Sequence, residues 1–204
     1  GFTETCSAVE TCIAFDSETN KNFEIGFKGE FMDNALRVNG AVFFTEYKDI
    51  VRAQVLPFTD AFGNPGQQTV NINAGASDLS GFEAEITWLA TANLRFDLFA
   101  GYLDHEYDES ELLAVAVLFG TGIDISCLKV PFTPELKFGG SVTYEHEFAG
   151  GSLEWYTSYS HQDELETSVF NSDNSQHMER DLWNANVTYY SPDERYHVAA
   201  FVNN

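Results

Sequence analysis

The chain has 204 residues, a length that one all-β domain often uses, and it carries 32 acidic against 10 basic side chains for a formal charge of −22. This balance excludes a nucleic-acid partner, because phosphate backbones are bound by clustered Lys and Arg, and the sequence has no such cluster. With 18 Phe, 9 Tyr and 2 Met, the composition favours strands over helices. No apolar run reaches the roughly 18–20 residues that a transmembrane helix needs.

The first predicted feature is a small disulfide loop near the N-terminus. Cys6 and Cys12 lie close together in the sequence, and Cys127 stands alone, so the three cysteines fit no zinc-binding spacing. We expect a disulfide between Cys6 and Cys12, formed in an oxidising compartment. The alternative is three unpaired thiols.

The first predicted hairpin lies within residues 20–50. From Phe23 to Phe31, apolar side chains alternate with polar ones such as Lys28, which is the period of a strand with two unlike faces. The turn residues Asp33 and Asn34 separate it from a second strand with the same alternation.

Three more hairpins follow with the same design, which gives eight strands. Their turns alternate with long connections, and we expect the two kinds at opposite ends of the sheet. The short turns are predicted at residues 32–35, 90–93, 149–151 and 191–194, and irregular loops at 48–78, 104–133 and 161–181. Within the second loop, "SELLAVAVLFG" is consistent with a short helix that Ser110 caps.

One face of each predicted strand is apolar and without charge. A half-buried sheet in a soluble protein gives the same alternation, but Tyr and Trp near the strand ends and the regular short and long connections favour a membrane barrel. We expect these side chains to face lipid: Phe27, Val42, Ile86, Phe96, Phe138, Trp155 and Val187. We expect these to face the lumen: Lys28, Arg37, Glu83, Glu85, Asp97 and Lys137.

The chain ends bear on the size of the barrel. The first strand leads into a short turn and the last strand leaves one, so both ends lie on the side of the long loops. A complete eight-stranded bacterial barrel has both termini on the other, periplasmic side. We therefore expect residues 1–204 to be a portion of a larger antiparallel, up-and-down transmembrane β-barrel.

Four segments resemble one family of outer-membrane proteins. The segments are "ETNKNFEIGFKGEFMDNALRVNGAVFFTEYKDI", "LSGFEAEITWLATANLRFDLFAGYLDHEYDE", "VPFTPELKFGGSVTYEHEF" and "ERYHVAAFVNN". In this order they are similar to barrel segments of TonB-dependent outer-membrane receptors, and the resemblance covers nearly the whole chain apart from the loops. The Gly-Phe-Glu-x-Glu of the second segment, at Gly81 to Glu85, is the most recognisable part.

The resemblance implies a 22-stranded barrel closed by an N-terminal plug. It also implies import of a scarce large solute, such as a siderophore, cobalamin or an oligosaccharide, with energy passed through TonB. The plug, the TonB-contacting segment and the usual final strand are not among these residues, so the expected domain is a partial barrel. Glu83 and Glu85 are then expected to contact the plug.

Other functions have less support in the sequence. It contains no phosphate-binding loop, zinc-protease motif or nucleophile elbow, so we predict no enzyme, cofactor or metal site. A passive porin-like or adhesive barrel, or a soluble β-sandwich or lipid-binding barrel, remains an alternative.

Loop acids such as Glu106 and Glu164 are either solvated or attract a cationic ligand. The apolar segment Leu112 to Phe119 either packs within its loop, caps the mouth of the barrel or meets a partner lipoprotein.

Overall fold

The secondary structure is β throughout the part of the chain described by the computed structural model, which covers residues 15–60, 62–73, 75–107, 128–167 and 176–204. The described ranges contain no helix that is both long and apolar enough to span a membrane. The strands are β1 Thr19–Phe31, β2 Leu36–Lys48, β3 Val51–Thr59, β4 Pro65–Asn73, β5 Ser77–Thr91, β6 Leu94–Tyr107, β7 Leu136–Phe148, β8 Gly151–Gln162, β9 Leu165–Glu166, β10 Gln176–His177, β11 Arg180–Tyr190 and β12 His197–Asn203.

Eight of these strands form one sheet in the order β1-β2-β5-β6-β7-β8-β11-β12. Each therefore lies beside the strand that precedes it in this series, which is an up-and-down arrangement. The four short connections, at residues 32–35, 92–93, 149–150 and 191–196, fall at one end of the strands, and the long connections begin at the other. The prediction of an all-β antiparallel fold is confirmed.

The prediction of an irregular loop at residues 48–78 is wrong. Strands β3 and β4 form an antiparallel hairpin there, with Val51 opposite Asn73 and Thr59 opposite Pro65. The Gly, Asn and Pro residues that suggested a loop are concentrated in its turn and at the start of β4, where proline is tolerated.

Asp60 organises the turn of this hairpin. Its carboxylate accepts hydrogen bonds from the backbone amides of Phe62 and Asn64 at 2.9 and 2.8 Å and from the Asn64 side chain at 2.9 Å. These hydrogen bonds hold the pKa of Asp60 below its ordinary value, and the bond from the Asn64 side chain has the largest effect. A glycine follows at Gly63, whose φ of 86° is in the left-handed region.

The other two long connections are shorter than predicted, because the strands beside them are longer. Strand β6 continues to Tyr107, and β8 continues to Gln162. Strands β9 and β10 form a two-residue ladder within the third connection. The helix predicted for "SELLAVAVLFG" lies outside the described residues.

The turn between β7 and β8 has the geometry of a tight hairpin. Ala149 and Gly150 both have positive φ, at 50° and 82°, as a two-residue turn of type I′ requires. In the turn before β12, Asp193 accepts a hydrogen bond from the Ser191 hydroxyl at 2.8 Å, which lowers the pKa of Asp193. These turns fix the register of the strands that they join.

The described chain divides into two units by its internal contacts. The larger unit contains the described residues within 23–44, 80–105 and 129–204, and so most of the eight-stranded sheet. The smaller unit contains the described residues within 15–22, 45–79 and 106–107, together with Leu128. It has a small core at Ile50, Ala76 and Ser77, where the Ile50 amide donates to the Gly75 carbonyl at 2.9 Å.

Candidate functional site

One face of the larger unit carries most of its exposed apolar side chains. We call this the apolar face. Ile25, Val198 and Trp183 are among the most exposed, at 78, 65 and 57 %. Other exposed members are Phe23, Phe27, Phe31, Val42, Phe44, Trp88, Leu98, Phe138, Tyr144, Trp155 and Val202. So broad an apolar surface is not left in water by ordinary soluble proteins.

The opposite face is the polar face, and the strand register defines it. Asp97, Ser141, Ser158 and Asn184 lie in one row across four neighbouring strands. The next row toward the long connections contains Phe99, Gly139 and Ser160. Because side chains of a strand alternate between faces, these rows share one side of the sheet.

Lys28, Glu83 and Glu85 lie together on the polar face. They line a groove of about 260 Å³ with Glu24 and Asn39. The Asn39 side chain donates to Glu85 at 3.5 Å, which is a long hydrogen bond. Lys28, Glu83 and Glu85 thus share one face of the sheet, as strand alternation in the sequence predicts.

Arg37 is engaged within the sheet. Its Nε and Nη2 donate to Glu30 Oε1 at 3.1 and 3.0 Å, across the first hairpin. Both side chains are largely exposed, so this ion pair adds little stability, about 0–1 kcal/mol. Its effect is to neutralise a charge on the polar face.

Asp97 has two partners. Arg95, its neighbour on the same strand face, donates to it from Nε and Nη2 at 2.8 and 2.7 Å. The Thr87 hydroxyl on the adjacent strand donates to Asp97 at 2.9 Å. The carboxylate is thus satisfied without any group from outside the sheet.

A second and larger cavity, of about 560 Å³, lies on the polar face of the middle strands. Glu85, Asp97 and Lys137 line it, so the two cavities share Glu85. Its other charged member is Arg180, and hydroxyl groups of Tyr156, Ser158 and Ser160 form part of the polar lining. These four residues were not predicted from the sequence, although the alternating Ser158 and Ser160 on a polar strand face were a usable signal.

The polar face is acidic near the short turns. Glu145 and Glu154 lie directly opposite each other on β7 and β8. Like charges at such a position repel, and the structure shows no ion pair for either of them within the described ranges. On β7 the sign of the polar-face charge therefore differs between the two ends, since Lys137 lies at the end opposite Glu145.

A cluster of side chains around His161 was also not predicted from the sequence. Its two ring nitrogens lie 2.9 Å from Asp181 and 3.0 Å from Asp163, and Asp181 also accepts from the Tyr159 hydroxyl at 2.7 Å. The ring of Tyr159 packs on Trp183, with centroids 4.7 Å apart. Contacts between strands that are distant in sequence cannot be derived from spacing alone.

Two further expectations concern the disulfide and metal binding. Cys6, Cys12 and Cys127 lie outside the described residues, so the predicted disulfide stays a prediction. Within the described ranges, no group of three or more His, Cys, Asp or Glu side chains is arranged to hold a metal ion.

Together, the eight-stranded antiparallel sheet and its two unlike faces define the wall of a β-barrel. A family model described as TonB dependent receptor-like, beta-barrel, matches residues 13–204. The chain therefore belongs to this family of TonB dependent receptor-like β-barrels. The resemblance seen in the sequence is thereby confirmed.

Solved structures with the same fold include several uptake receptors. The chain is similar to the ferric yersiniabactin uptake receptor FyuA from Yersinia pestis, with a TM-score of 0.71 and 19 % identity over 96 % of this chain and 27 % of that one. It is also similar to BauA, the ferric preacinetobactin receptor from Acinetobacter baumannii, with a TM-score of 0.60 and 15 % identity over 91 % and 25 %.

A third similar structure is the pyoverdine outer membrane receptor FpvA from Pseudomonas aeruginosa PAO1, with a TM-score of 0.55 and 16 % identity over 92 % of this chain and 25 % of that one. At these identities the likeness concerns the fold alone. The chain thus spans about a quarter of the length of these receptors, and the sheet corresponds to part of a larger barrel. No curated protein matches the chain.

Proposed function

We propose that the chain forms part of the barrel wall of a receptor in the bacterial outer membrane, which imports a scarce metal–siderophore complex with energy supplied through TonB. The observation that carries this proposal is the family match over residues 13–204. Similar solved structures are receptors for ferric yersiniabactin, ferric preacinetobactin and pyoverdine, and this favours a siderophore over cobalamin or an oligosaccharide.

The two faces of the sheet have separate roles in this proposal. The apolar face contacts lipid, because aliphatic and aromatic side chains are stable there, whereas a Lys or Arg near the midplane costs roughly 2–4 kcal/mol. The polar face lines the lumen. Lys28, Glu83 and Glu85 then face the plug or the passing ligand, and the ion pair of Arg37 with Glu30 stays within the wall.

The proposed partners follow from the same arrangement. They are outer-membrane lipid, a small metal complex, and the TonB system, which acts through a part of the receptor outside residues 13–204. A contact between Leu112 to Phe119 and a lipoprotein concerns residues outside those described, and it stays a hypothesis from the sequence. No catalytic role is proposed.

The test is energy-dependent uptake by cells. A strain that lacks the gene is complemented with the full-length gene, and entry of radiolabelled iron from a set of ferric siderophores is measured with and without functional TonB. We expect uptake of at least one complex only when both the receptor and TonB are present.

Uptake that is equal without TonB would contradict active transport and support a passive porin. Recovery of the full-length protein in aqueous buffer, with none in the outer-membrane fraction, would contradict both membrane functions. Surface binding of cells without any uptake would support an adhesive barrel.

A further inference from the structure

The basic side chains of this acidic chain are mostly neutralised. Of the Lys and Arg side chains that the structure describes, six have a carboxylate partner within 4.0 Å: Lys21, Arg37, Lys48, Arg95, Lys129 and Arg195. Three described ones have none, and all three are on the polar face: Lys28, Lys137 and Arg180. Two of these three line the larger cavity.

Lys137 and Arg180 lie in one row of the sheet. Gln162 is directly opposite Lys137 on one side and directly opposite Arg180 on the other. Two strand spacings of 4.7–4.9 Å therefore separate the backbones of the two bases by roughly 10 Å. Long flexible side chains at this separation can both reach a single small ligand.

Two acids near this row, Glu135 and Glu164, are already engaged by Lys129. Lys129 Nζ lies 3.0 Å from Glu164 Oε1 and 3.7 Å from Glu135 Oε1. Glu135 is two residues before Lys137 in the sequence. The hydrogen bond with Glu164 raises the pKa of Lys129, so this base stays charged. Asp97, on the far side of the cavity, is neutralised by Arg95.

Glu85 is the one acid lining the cavity that has no basic partner in the described part of the chain. Two positive charges thus face one negative charge across a space of about 560 Å³. Hydroxyl groups from Tyr156, Ser158 and Ser160 line the space beside the bases and can donate further hydrogen bonds to an anion.

We propose that Lys137 and Arg180, with Gln162 between them, bind the negatively charged part of the transported ligand. The proposal rests on the proposed uptake function and narrows it to anionic metal complexes, as opposed to electrically neutral ones. Lys and Arg donate charge-assisted hydrogen bonds to negatively charged oxygen atoms, and these bonds are stronger than hydrogen bonds between neutral groups. A neutral complex would leave both charges uncompensated when water is displaced from the cavity.

The test measures binding by the purified full-length receptor. The probes are ferric complexes of either negative or zero net charge, with a ferric tris-catecholate complex as the anionic and a ferric tris-hydroxamate complex as the neutral reference. We expect the tightest-bound complex to be anionic. The double variant Lys137→Gln, Arg180→Gln should weaken its binding by about tenfold or more and reduce the dependence of the Kd on salt.

Two control variants separate this role from a structural one. The charge-keeping variant Lys137→Arg, Arg180→Lys should recover most of the affinity. Arg195→Gln, which removes an exposed base paired with Asp193 in the short turn before β12, should leave the Kd unchanged. Folding of every variant is checked by its heat-modifiable migration on a gel.

Tightest binding of a neutral complex, or an unchanged Kd in the double variant, would overturn the subsite while leaving the uptake function standing. So would a double variant that binds the anion normally and only fails to transport it, since the two bases would then act on the plug. Binding of no complex at all would count against the uptake function itself, and against the subsite with it.

Discussion

Two aromatic residues on the polar face are explained by the glycines that lie beside them. Phe99 is directly opposite Gly139, and a Cβ added at Gly139 would meet the Phe99 ring at 2.9 Å and the Tyr159 carbonyl oxygen at 2.5 Å. Phe43 covers Gly81 in the same way, 2.9 Å from such a Cβ. The rings thereby shield backbone that the glycines leave bare, which stabilises a sheet at these positions.

Gly139→Ala should destabilise the barrel by about 1–3 kcal/mol, because the new methyl group would overlap both the Phe99 ring and a backbone carbonyl that cannot move freely. Gly101→Ala is the matched control. Gly101 also lies on the polar face, directly opposite Lys137, but its nearest neighbour to an added Cβ is 3.9 Å away.

The measurement for both glycine variants is the urea midpoint of the receptor folded in lipid vesicles. A lower midpoint for Gly139→Ala and an unchanged or higher one for Gly101→Ala is the expected result. Equal midpoints would mean that the aromatic cover does not constrain Gly139.

Strand β5 shows at the scale of one element how the two faces differ. Glu83 and Glu85 line cavities of the polar face, whereas Trp88 stacks on Phe96 of the next strand with ring centroids 5.5 Å apart. Ile86 lies between these groups in sequence and points to the apolar side, as strand alternation requires. A charged side chain should therefore be tolerated at Glu85 on the polar face but destabilise the barrel at Ile86 on the apolar face.

Ile86→Arg should reduce the amount of assembled barrel, because it places a charge in lipid at a cost of roughly 2–4 kcal/mol near the midplane. Glu85→Gln, its neighbour on the polar face, should assemble like the wild type. Assembly is read from heat-modifiable migration of the full-length protein in outer-membrane fractions. If Ile86→Arg assembles normally and Glu85→Gln does not, the faces are inverted.

The strands that were predicted well from the sequence are those in which polar and apolar residues alternate and each face has a single environment. The alternation in residues 20–48 was enough to predict β1, β2 and the turn at 32–35, because each face of these strands has one environment. Hairpin β3–β4 was missed because Gly63 and Asn64 in its turn, with Pro65 at the start of β4, outweighed the pattern of the two nine-residue strands.

The candidate site was predictable only in part, for a related reason. Alternation alone places Glu85, Asp97 and Lys137 on one face, but it does not say which strands are neighbours at which register. The row of Lys137, Gln162 and Arg180 requires the register of three strands. Ion pairs such as Arg95 with Asp97 also decide which charges remain available, and they depend on rotamers that a sequence does not specify.

At the scale of the whole molecule, the proposed function requires lipid on the apolar face of the sheet and water on the polar face. The three tryptophans of the chain, Trp88, Trp155 and Trp183, all lie on the apolar face and are 40, 47 and 57 % exposed. In the proposed receptor they contact lipid, since tryptophan is enriched where barrels meet the membrane. In a soluble protein the same side chains would be in contact with water or with a second layer of protein.

Fluorescence quenching of these tryptophans tests the central claim most directly. The full-length receptor is folded into vesicles, and its emission is compared with that of a variant in which Trp88, Trp155 and Trp183 are replaced by Phe, so that the difference belongs to these three residues. We predict that lipids brominated in their acyl chains quench this difference emission strongly and that aqueous iodide does not. Quenching by iodide without quenching by brominated lipid would contradict the assignment of the apolar face to the membrane, and with it the barrel-wall account.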